Sequence, residues 1–258
     1  MPCIQLQELV ALLDIKHQLI FEGPPGSGKT FLAKSIARYS AGLPLEGPPD
    51  PQVEIVQFHQ SYGYEDFVAG IRPSTTTEGT IRYDVQPGIF VEMCTRAEAN
   101  PDRKFVLLID EINRGNLSRI FGELMYALEY RKEPVRLQYP NMLGVASADH
   151  LTIPTNLYLI GTMNSTDRSL AMLDYALRRR FYFWKLMPVD DGQAPVLEKW
   201  LRSEKFDPTL VDDVIRRFVA INALVIENLS PEFAIGHSYF MDKEIDEIGT
   251  RYRIWNHE

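Results

Sequence analysis

Short runs of apolar residues alternate with longer amphipathic stretches over the first two thirds of the chain. The short runs are rich in β-branched and aromatic residues, which is typical of buried strands, and they cover residues 18–22, 53–58, 105–109, 157–160 and 181–184. The longer stretches 31–40, 89–99 and 117–128 space their apolar residues as helices do. This alternation predicts an α/β fold with a mostly parallel sheet and helices on both faces.

The last quarter of the chain has a different pattern. After a Pro-containing stretch at 188–195, residues 196–204 and 208–228 predict two helices with no strand between them. We therefore expect two domains, a large α/β domain over 1–187 and a small helical lid domain over 188–258. Three connectors interrupt the large domain: 41–52 is rich in Pro and Gly, 72–87 is a polar stretch that suits a hairpin insertion, and 139–149 is irregular.

Composition and charge exclude several classes of function. The 258 residues carry 35 acidic and 27 basic side chains, a net charge of −8, so the chain as a whole is not a nucleic-acid binder. The two cysteines, Cys3 and Cys94, lie far apart and outside any zinc-binding spacing, which argues against a disulfide framework or a thiolate metal site. No apolar run approaches the roughly 20 residues of a membrane span. We expect a cytoplasmic protein with no membrane partner.

Residues 23–30 match the phosphate-binding pattern G-x-x-x-x-G-K-[ST] at every position. The residues are Gly23, Pro24, Pro25, Gly26, Ser27, Gly28, Lys29 and Thr30, and we add the next residue, Phe31, to the nucleotide-binding set. Glycines let the backbone N–H groups curl around phosphate oxygens, Lys29 reaches the β- and γ-phosphates, and the Thr30 hydroxyl binds Mg²⁺. The predicted strand before the loop and helix after it make a chance match improbable.

Two carboxylates follow the apolar strand at 105–109. Asp110 and Glu111 fall at the carboxyl edge of the predicted sheet, where open α/β sheets bind ligands. Asp110 lies beside the phosphate loop if the two strands are adjacent, and it then holds Mg²⁺ together with Thr30. Glu111 is placed to polarise the attacking water. An acidic turn without function is the alternative, and the complete phosphate loop upstream disfavours it.

Polar residues also follow the next two strands. Asn164 ends the strand at 156–163, where its amide can orient the attacking water by hydrogen bonding. Arg178, Arg179 and Arg180 precede the strand at 181–184. They suit a solvated helix end, a contact with a DNA backbone, or entry into a neighbouring subunit's site, where an arginine neutralises charge on the γ-phosphate. Position alone leaves these three interpretations open.

The order of these motifs resembles the AAA+ superfamily, and three stretches narrow the resemblance to the McrB family. They are 57–67 (QFHQSYGYEDF), 109–114 (IDEINR) and 163–170 (MNSTDRSL) followed by 174–180 (DYALRRR). The resemblance covers about residues 18–184 and resumes at 232–238 (EFAIGHS). It implies a P-loop AAA+ module with a C-terminal helical lid.

McrB proteins are motor subunits of modification-dependent restriction systems, so the resemblance implies GTP hydrolysis with Mg²⁺, a homo-hexameric ring and a McrC-like endonuclease partner. The family signature Asn-x-x-Asp falls on Asn164 and Asp167, and its trans-acting arginines match Arg179 and Arg180, with no choice between them. Arg114 matches the arginine after the acidic strand. The resemblance places the base pocket near residues 4–15 and near 236–238, which includes His237.

Two features depart from the family pattern. Only 22 residues precede Gly23, so we expect either the motor part of a longer protein or a natural short form, with DNA reached through a domain or partner absent from this chain. The guanine-reading N-K-x-D motif of Ras-type GTPases does not occur. An ATP-dependent remodelling factor of the MoxR type is therefore the alternative, and a non-catalytic nucleotide-sensing scaffold is a third hypothesis.

Overall fold

A computed structural model describes residues 3–75, 79–139, 150–166 and 175–241. The strands are β1 (Gln18–Gly23), β2 (Val53–Gln57), β3 (Ala69–Thr75), β4 (Ile81–Pro87), β5 (Phe105–Asp110), β6 (Val135–Arg136), β7 (His150–Leu151), β8 (Leu157–Asn164) and β9 (Tyr182–Lys185). The α-helices are α1 (Cys3–Lys16), α2 (Lys29–Ser40), α3 (Tyr64–Phe67), α4 (Ile89–Ala99), α5 (Leu117–Phe121), α6 (Leu124–Glu129), α7 (Tyr175–Arg180), α8 (Pro195–Ser203) and α9 (Pro208–Asn228). Short 3-10 helices occur at Ile112–Arg114, Pro231–Phe233 and His237–Phe240.

The central sheet has five parallel strands in the order β2-β5-β8-β1-β9. The predicted α/β class with a mostly parallel sheet is therefore confirmed. The condition that the Asp110 strand be adjacent to the phosphate-loop strand is not met, because β8 lies between β5 and β1. All five carboxyl ends nevertheless meet at one edge, since the strands are parallel. The order places the tip of β8 between the phosphate loop and the acidic residues.

Alternating side chains of the buried strands build two apolar layers, one on each face of the sheet. Leu19 and Phe21 of β1 join the layer beneath α1 and α2, whereas Ile20 between them joins the opposite layer. Successive strand residues point to opposite faces, so each strand supplies both layers. The aromatic residues Phe58 and Phe67 pack edge to face in the second layer, at 5.5 Å between ring centres.

The local predictions agree with the structure only in part. The single helix expected at 117–128 is two helices, because Gly122 has φ +49° and the ring of Tyr64 lies 3.1 Å from where a Cβ would stand. Helix α1 was not predicted, since its apolar residues do not gather on one side. The polar stretch 72–87 forms most of an antiparallel hairpin of β3 and β4, as expected. Residues 140–149 of the third connector lie outside the described residues.

The C-terminal helices α8 and α9 have an apolar cluster of their own. Leu197 and Leu201 of α8 pack against Val214 and Phe218 of α9. The predicted pair of helices without a strand between them is present at 195–228. The domain division at 187 and 188 stays a prediction. Within the described ranges, none of the helices has the length and apolar character to cross a bilayer. The cytoplasmic location also stays a prediction.

Candidate nucleotide-binding site

The phosphate loop joins the end of β1 to the start of α2, and its shape depends on two glycines. Gly26 has φ +74° and Gly28 has φ +84°, in the left-handed region where only glycine is unstrained. These turns bring the first backbone N–H groups of α2 to the loop, where no earlier helical residue can accept from them. The positive end of the helix dipole lies there as well, so the loop suits an anion.

Lys29 closes the loop from within. Its Nζ donates to the carbonyl oxygens of Gly23 and Pro24 at 3.0 and 2.8 Å, and the side chain is buried. Gly23, Pro24 and Ser27 of the predicted set are buried too, and Pro25 is half-buried. Phe31 is 79% exposed and turns away from the loop. The structure thus assembles the predicted loop residues and leaves Phe31 outside it.

Asp110, at the tip of β5, accepts one hydroxyl hydrogen bond from α2 and one from β8. The Thr30 hydroxyl donates to Asp110 Oδ1 at 2.9 Å, and the Thr162 hydroxyl donates to the same oxygen at 2.6 Å. Thr162 belongs to β8, which lies between β1 and β5. Its hydroxyl links β8 to Asp110 at the tip of β5. Sequence reasoning missed Thr162, although it precedes Asn164 by two residues and so faces the same side of the strand.

Glu111 lies between Asn164 and Arg114. Asn164 Nδ2 donates to Glu111 Oε1 at 2.6 Å, and Arg114 Nε lies 3.3 Å from Glu111 Oε2. The backbone of Glu111 is left-handed, with φ +53°, and its N–H donates to the Thr162 hydroxyl at 3.1 Å. The structure therefore brings Glu111, Asn164 and Arg114 together. Asp167 lies outside the described residues.

A segment behind α9 covers the phosphate loop. The backbone N–H of Ser238 donates to the Gly26 carbonyl at 3.0 Å, and a Cβ on Gly236 would stand 2.3 Å from the Pro25 oxygen. His237 is buried, with Nε2 3.2 Å from the Cβ position of Gly28. Burial lowers the pKa of His237 to about 4, so the ring is neutral at pH 7.

A buried amide on α9 fixes this covering segment. Asn222 accepts from the backbone N–H of Ile235 at 2.6 Å and donates to the Ile235 carbonyl at 3.3 Å. Its side chain is fully buried, so both bonds are shielded from water. Sequence reasoning did not identify Asn222, because a single polar residue on an amphipathic helix does not distinguish itself from a solvated one. The predicted nucleotide-binding position of His237 depends on this anchor.

The three arginines at the end of α7 have different surroundings. Arg180 Nη2 lies 2.7 Å from Glu129 Oε2, and its side chain is only 14% exposed. The guanidinium carbon of Arg178 lies 5.0 Å from the centre of the Phe183 ring. Arg179 is exposed and makes no ion pair with any residue that the structure describes. Of the two arginines matched to the family, the structure leaves Arg179 extended to solvent.

Buried polar atoms at the site test whether a magnesium nucleotide fits it. Ser27 Oγ and His237 Nδ1 are both buried and have no hydrogen-bond partner in the described part of the chain. Such atoms are expensive to bury unless a bound group satisfies them. The described residues hold no group of three acidic, His or Cys side chains that could bind a metal alone. Mg²⁺ is commonly held by one or two protein ligands plus phosphates, and the pair Thr30 and Asp110 suits that mode.

Comparisons with known proteins agree with a nucleotide-binding site. The family model described as AAA domain (dynein-related subfamily) matches residues 18–181. The Type IV methyl-directed restriction enzyme EcoKMcrB subunit of Escherichia coli (strain K12) is 40% identical over 243 residues, which is 93% of this chain and 50% of that protein. The Type II restriction enzyme BsuMI component YdiS of Bacillus subtilis (strain 168) is 25% identical over 210 residues, 69% of this chain and 59% of that protein.

The chain spans about half the length of the curated relatives it matches. Among solved structures, NtrX from Brucella abortus overlaps 88% of this chain and 52% of its own length, with a TM-score of 0.42 and 11% sequence identity. That likeness is too loose to carry an argument. The part of the chain that the family model matches, residues 18–181, contains the phosphate loop and the strand tips.

Proposed function

Because the chain belongs to the dynein-related subfamily of AAA domains and its nucleotide-binding part is of the McrB type, we propose that it is the GTP-hydrolysing motor of a restriction system. The coarser function, a P-loop NTPase domain related to restriction enzymes, follows from the family. The proposal adds the choice of nucleotide, the roles of the site residues, the ring and the partners.

The observation that carries the proposal is the contact of the tips of β5 and β8 with each other and with Thr30 at the end of the phosphate loop. Thr30 and Asp110 are joined by a 2.9 Å hydrogen bond, and Glu111 and Asn164 by one of 2.6 Å. A metal-binding pair and a water-orienting pair thus stand side by side. Phosphoryl transfer depends on positioning and charge stabilisation, which is what these two pairs supply. A non-catalytic scaffold has no need of the second pair.

In the proposed reaction, the loop amides and Lys29 bind the β- and γ-phosphates, and Thr30 and Asp110 hold Mg²⁺. When bound, the metal would supply positive charge that offsets the negative charge of the phosphates. Glu111 accepts a proton from the water that attacks the γ-phosphorus, while the bond to the bridging oxygen breaks and GDP and phosphate form. Asn164 holds the carboxylate of Glu111 in position for this step.

We assign the trans-acting arginine to Arg179. Its exposure at the end of α7 leaves it available to a second copy, whereas Arg180 is paired with Glu129 and Arg178 lies over Phe183. An arginine supplied by a neighbour stabilises the charge of the transition state, an effect worth about 10³–10⁵ in rate. We propose a homo-hexameric ring in which each site combines one subunit's phosphate loop with the next subunit's Arg179.

Arg114 and Asp167 complete the proposed set. The ion pair between Arg114 and Glu111 supports a role for Arg114 in holding that carboxylate. For Asp167 the support is the family signature alone. His237 and the lid domain 188–258 are proposed to close over the nucleotide, and the contact of Ser238 with Gly26 supports that arrangement. Phe31 stays a nucleotide-binding proposal without support from its exposed position.

The choice of GTP rests on the McrB relationship, and ATP use of the MoxR type is the alternative. Phosphate release from GTP and from ATP, measured at equal concentration, separates the two. We expect GTP to be hydrolysed and ATP to be a poor substrate. Preferential hydrolysis of ATP would contradict the GTPase proposal and leave the AAA assignment standing.

The partner is proposed to be a McrC-like endonuclease, since a relative of this chain is a subunit of a methyl-directed restriction enzyme. DNA contact is assigned to a domain or partner outside this chain, in agreement with its net charge of −8. Size-exclusion chromatography with bound GTP analogue tests the ring, and GTP hydrolysis with and without the endonuclease tests the partnership. We expect stimulation by the endonuclease, and an unchanged rate with a bound partner would contradict it.

A further inference from the structure

A buried glutamine begins the strand that ends in the phosphate loop. Gln18 is the first residue of β1 and is only 3% exposed. Its Nε2 donates to the carbonyl oxygens of Leu128 at 3.0 Å and Arg180 at 3.1 Å, and its Oε1 accepts from Arg131 Nε at 3.0 Å. Gln18 therefore joins the starting edge of the sheet to the ends of α6 and α7.

Arg131 holds the glutamine amide in one orientation. Its Nη1 donates to the carbonyl oxygens of Leu157 at 2.8 Å and Pro154 at 3.3 Å. Burial lowers the pKa of Arg131 to about 10, so the side chain is still charged at neutral pH. A charged donor fixes Oε1 of Gln18 as the acceptor and directs Nε2 towards the helix ends. The amide has little freedom to rotate away from α7.

The end of α7 is held at two points of one residue. The Arg180 carbonyl accepts from Gln18, and the Arg180 guanidinium pairs with Glu129. The preceding residue, Arg179, extends from this clamped end into a cleft of about 510 Å³ at the starting edge of the sheet. Lys16 and Lys132 also line the cleft, together with Glu129 and Glu133, and the basic side chains of the lining outnumber the acidic ones.

A single strand connects this clamp to the subunit's own nucleotide site. The six residues from Gln18 to Gly23 span roughly 17 Å at the rise of a β-strand. β1 is paired along its length with β8 on one side and β9 on the other, so it cannot shift alone. Strand β1, which carries the phosphate loop at one end, therefore also determines the position of Arg179 at the other.

We propose that Gln18 is the positioning residue of the trans-acting Arg179. By binding the carbonyl oxygen of Arg180, the last residue of α7, Gln18 fixes the position from which Arg179 reaches the γ-phosphate bound by the second copy. The inference rests on the proposed function, since it needs a ring in which Arg179 serves a neighbour. The competing explanation is that Gln18 only satisfies buried carbonyl oxygens. Replacing it would then impair the subunit's own phosphate loop and its Arg179 alike.

The variant Gln18→Met keeps the side-chain length and removes the three hydrogen bonds. We expect kcat to fall about 100-fold, the effect of an ångström-scale misplacement, while the KM for GTP stays within about twofold. The subunit's own phosphate loop remains competent, because the lost contacts lie at the far end of β1. A rate equal to the wild-type rate would overturn the inference.

Mixed rings separate a positioning role from a structural one. Gln18→Met subunits have an intact loop and a misplaced arginine, whereas Lys29→Ala subunits have the opposite defects. Random mixing of equal amounts creates competent sites at about one quarter of the positions, so hydrolysis should recover towards that fraction. Mixing Gln18→Met with Arg179→Ala supplies no well-placed arginine and should recover nothing. Failure of the first mixture to recover would mean a structural defect and overturn the inference, and so would recovery of the second mixture.

A milder variant covers the case in which Gln18→Met does not fold. Glu129→Gln removes the negative charge that pairs with Arg180 and so weakens this contact, and we expect a smaller fall in kcat with the same pattern of recovery. Glu133→Gln, in the same cleft and without contact to Arg180, is the matched control and should retain wild-type kinetics. An unchanged kcat for Glu129→Gln would then overturn the inference.

Two measurements made first keep this test apart from the proposed function. Wild-type rings must release phosphate, and Arg179→Ala must lower kcat at an unchanged KM. Failure of either would contradict the proposed function and remove the inference with it. If both hold and Gln18→Met behaves as wild type, the function stands and only the role of Gln18 is lost.

Discussion

The amide of Asn164 donates a 2.6 Å hydrogen bond to Oε1 of Glu111, across the tips of two neighbouring parallel strands. The bond fixes one carboxylate oxygen, and Arg114 lies against the other. Two neighbouring side chains therefore hold the Glu111 carboxylate in one orientation. An oriented carboxylate does not have to be reorganised during the reaction, which favours its use on a water molecule.

We expect Asn164→Ala to release Glu111 from this orientation. The phosphate loop does not involve the amide, so the KM for the nucleotide should change little, while kcat should fall about 100-fold. Steady-state kinetics measure the split. Asn228→Ala, an exposed asparagine at the end of α9, is the matched control and should keep the wild-type kcat. A large rise in KM would place Asn164 in nucleotide binding instead.

Glu111→Gln should keep the fold and the nucleotide and lose turnover. The amide has nearly the same shape as the carboxylate but cannot accept a proton from water, so kcat should fall by about 10²–10⁴. Phosphate release and equilibrium binding of labelled nucleotide, measured on the same preparation, check both halves. Glu98→Gln on the exposed side of α4 is the control. Normal turnover by Glu111→Gln would remove Glu111 from the proton transfer.

Thr30→Val should raise the magnesium requirement. The valine has the shape of threonine and removes the hydroxyl that contacts Asp110 at 2.9 Å. Losing one oxygen donor beside the metal should increase the Mg²⁺ concentration for half-maximal hydrolysis about 10- to 100-fold. Titration of Mg²⁺ at saturating nucleotide measures it, and Thr30→Ser, which restores the hydroxyl, should return the curve towards wild type. Identical curves for all three proteins would exclude Thr30 as a ligand.

Gly236→Ala should push the covering segment away from the phosphate loop. The added methyl group would stand 2.2 Å from the Gly26 carbonyl carbon, and overpacking of this kind costs about 1–3 kcal/mol. We expect nucleotide affinity to fall about tenfold or more. Gly42→Ala is the control, because Gly42 has φ +72° and no atom near its Cβ position, so it should cost stability without changing affinity. Equal affinities would show that the segment does not cover the nucleotide.

His237 should make stability fall as the solution becomes acidic. Its pKa is about 4 in the folded chain and near 6.5 when unfolded, so below pH 6.5 protons bind the unfolded state preferentially. The stability difference is absent above pH 6.5 and amounts to about 2 kcal/mol at pH 5. Denaturant unfolding at pH 7 and pH 5 measures it. His237→Gln should lose this part of the pH dependence, whereas a variant at the exposed His150 should keep it.

The chemical groups at the site could be predicted from the sequence more fully than the order of the strands that carry them. The phosphate loop, Asp110, Glu111 and Asn164 are recognisable because each motif follows its own strand directly. The insertion of β8 between β1 and β5 was not predictable, since pairing depends on contacts between distant segments. For the same reason Thr162 escaped notice, although its hydroxyl donates to the same Asp110 oxygen as the Thr30 hydroxyl.

The lid contact and the clamp on α7 were beyond prediction for another reason. Asn222 and Gln18 are single polar residues, and nothing in their neighbours distinguishes a buried amide from a solvated one. Only the fold reveals that one anchors Ile235 and the other the carbonyl of Arg180. The break at Gly122 belongs to the same class, because the ring of Tyr64 creates it from 58 residues away in sequence.

The left-handed backbone of Glu111 determines which side of the sheet its carboxylate reaches. In a continuing strand, Asp110 and Glu111 would point to opposite faces, yet they bind Thr162 and Asn164 on the same side of β8. The turn at φ +53° is what brings two consecutive carboxylates round to one side. Glycine would relieve the backbone there and remove the carboxylate, so conformational ease and the proposed catalytic role favour opposite residues at position 111.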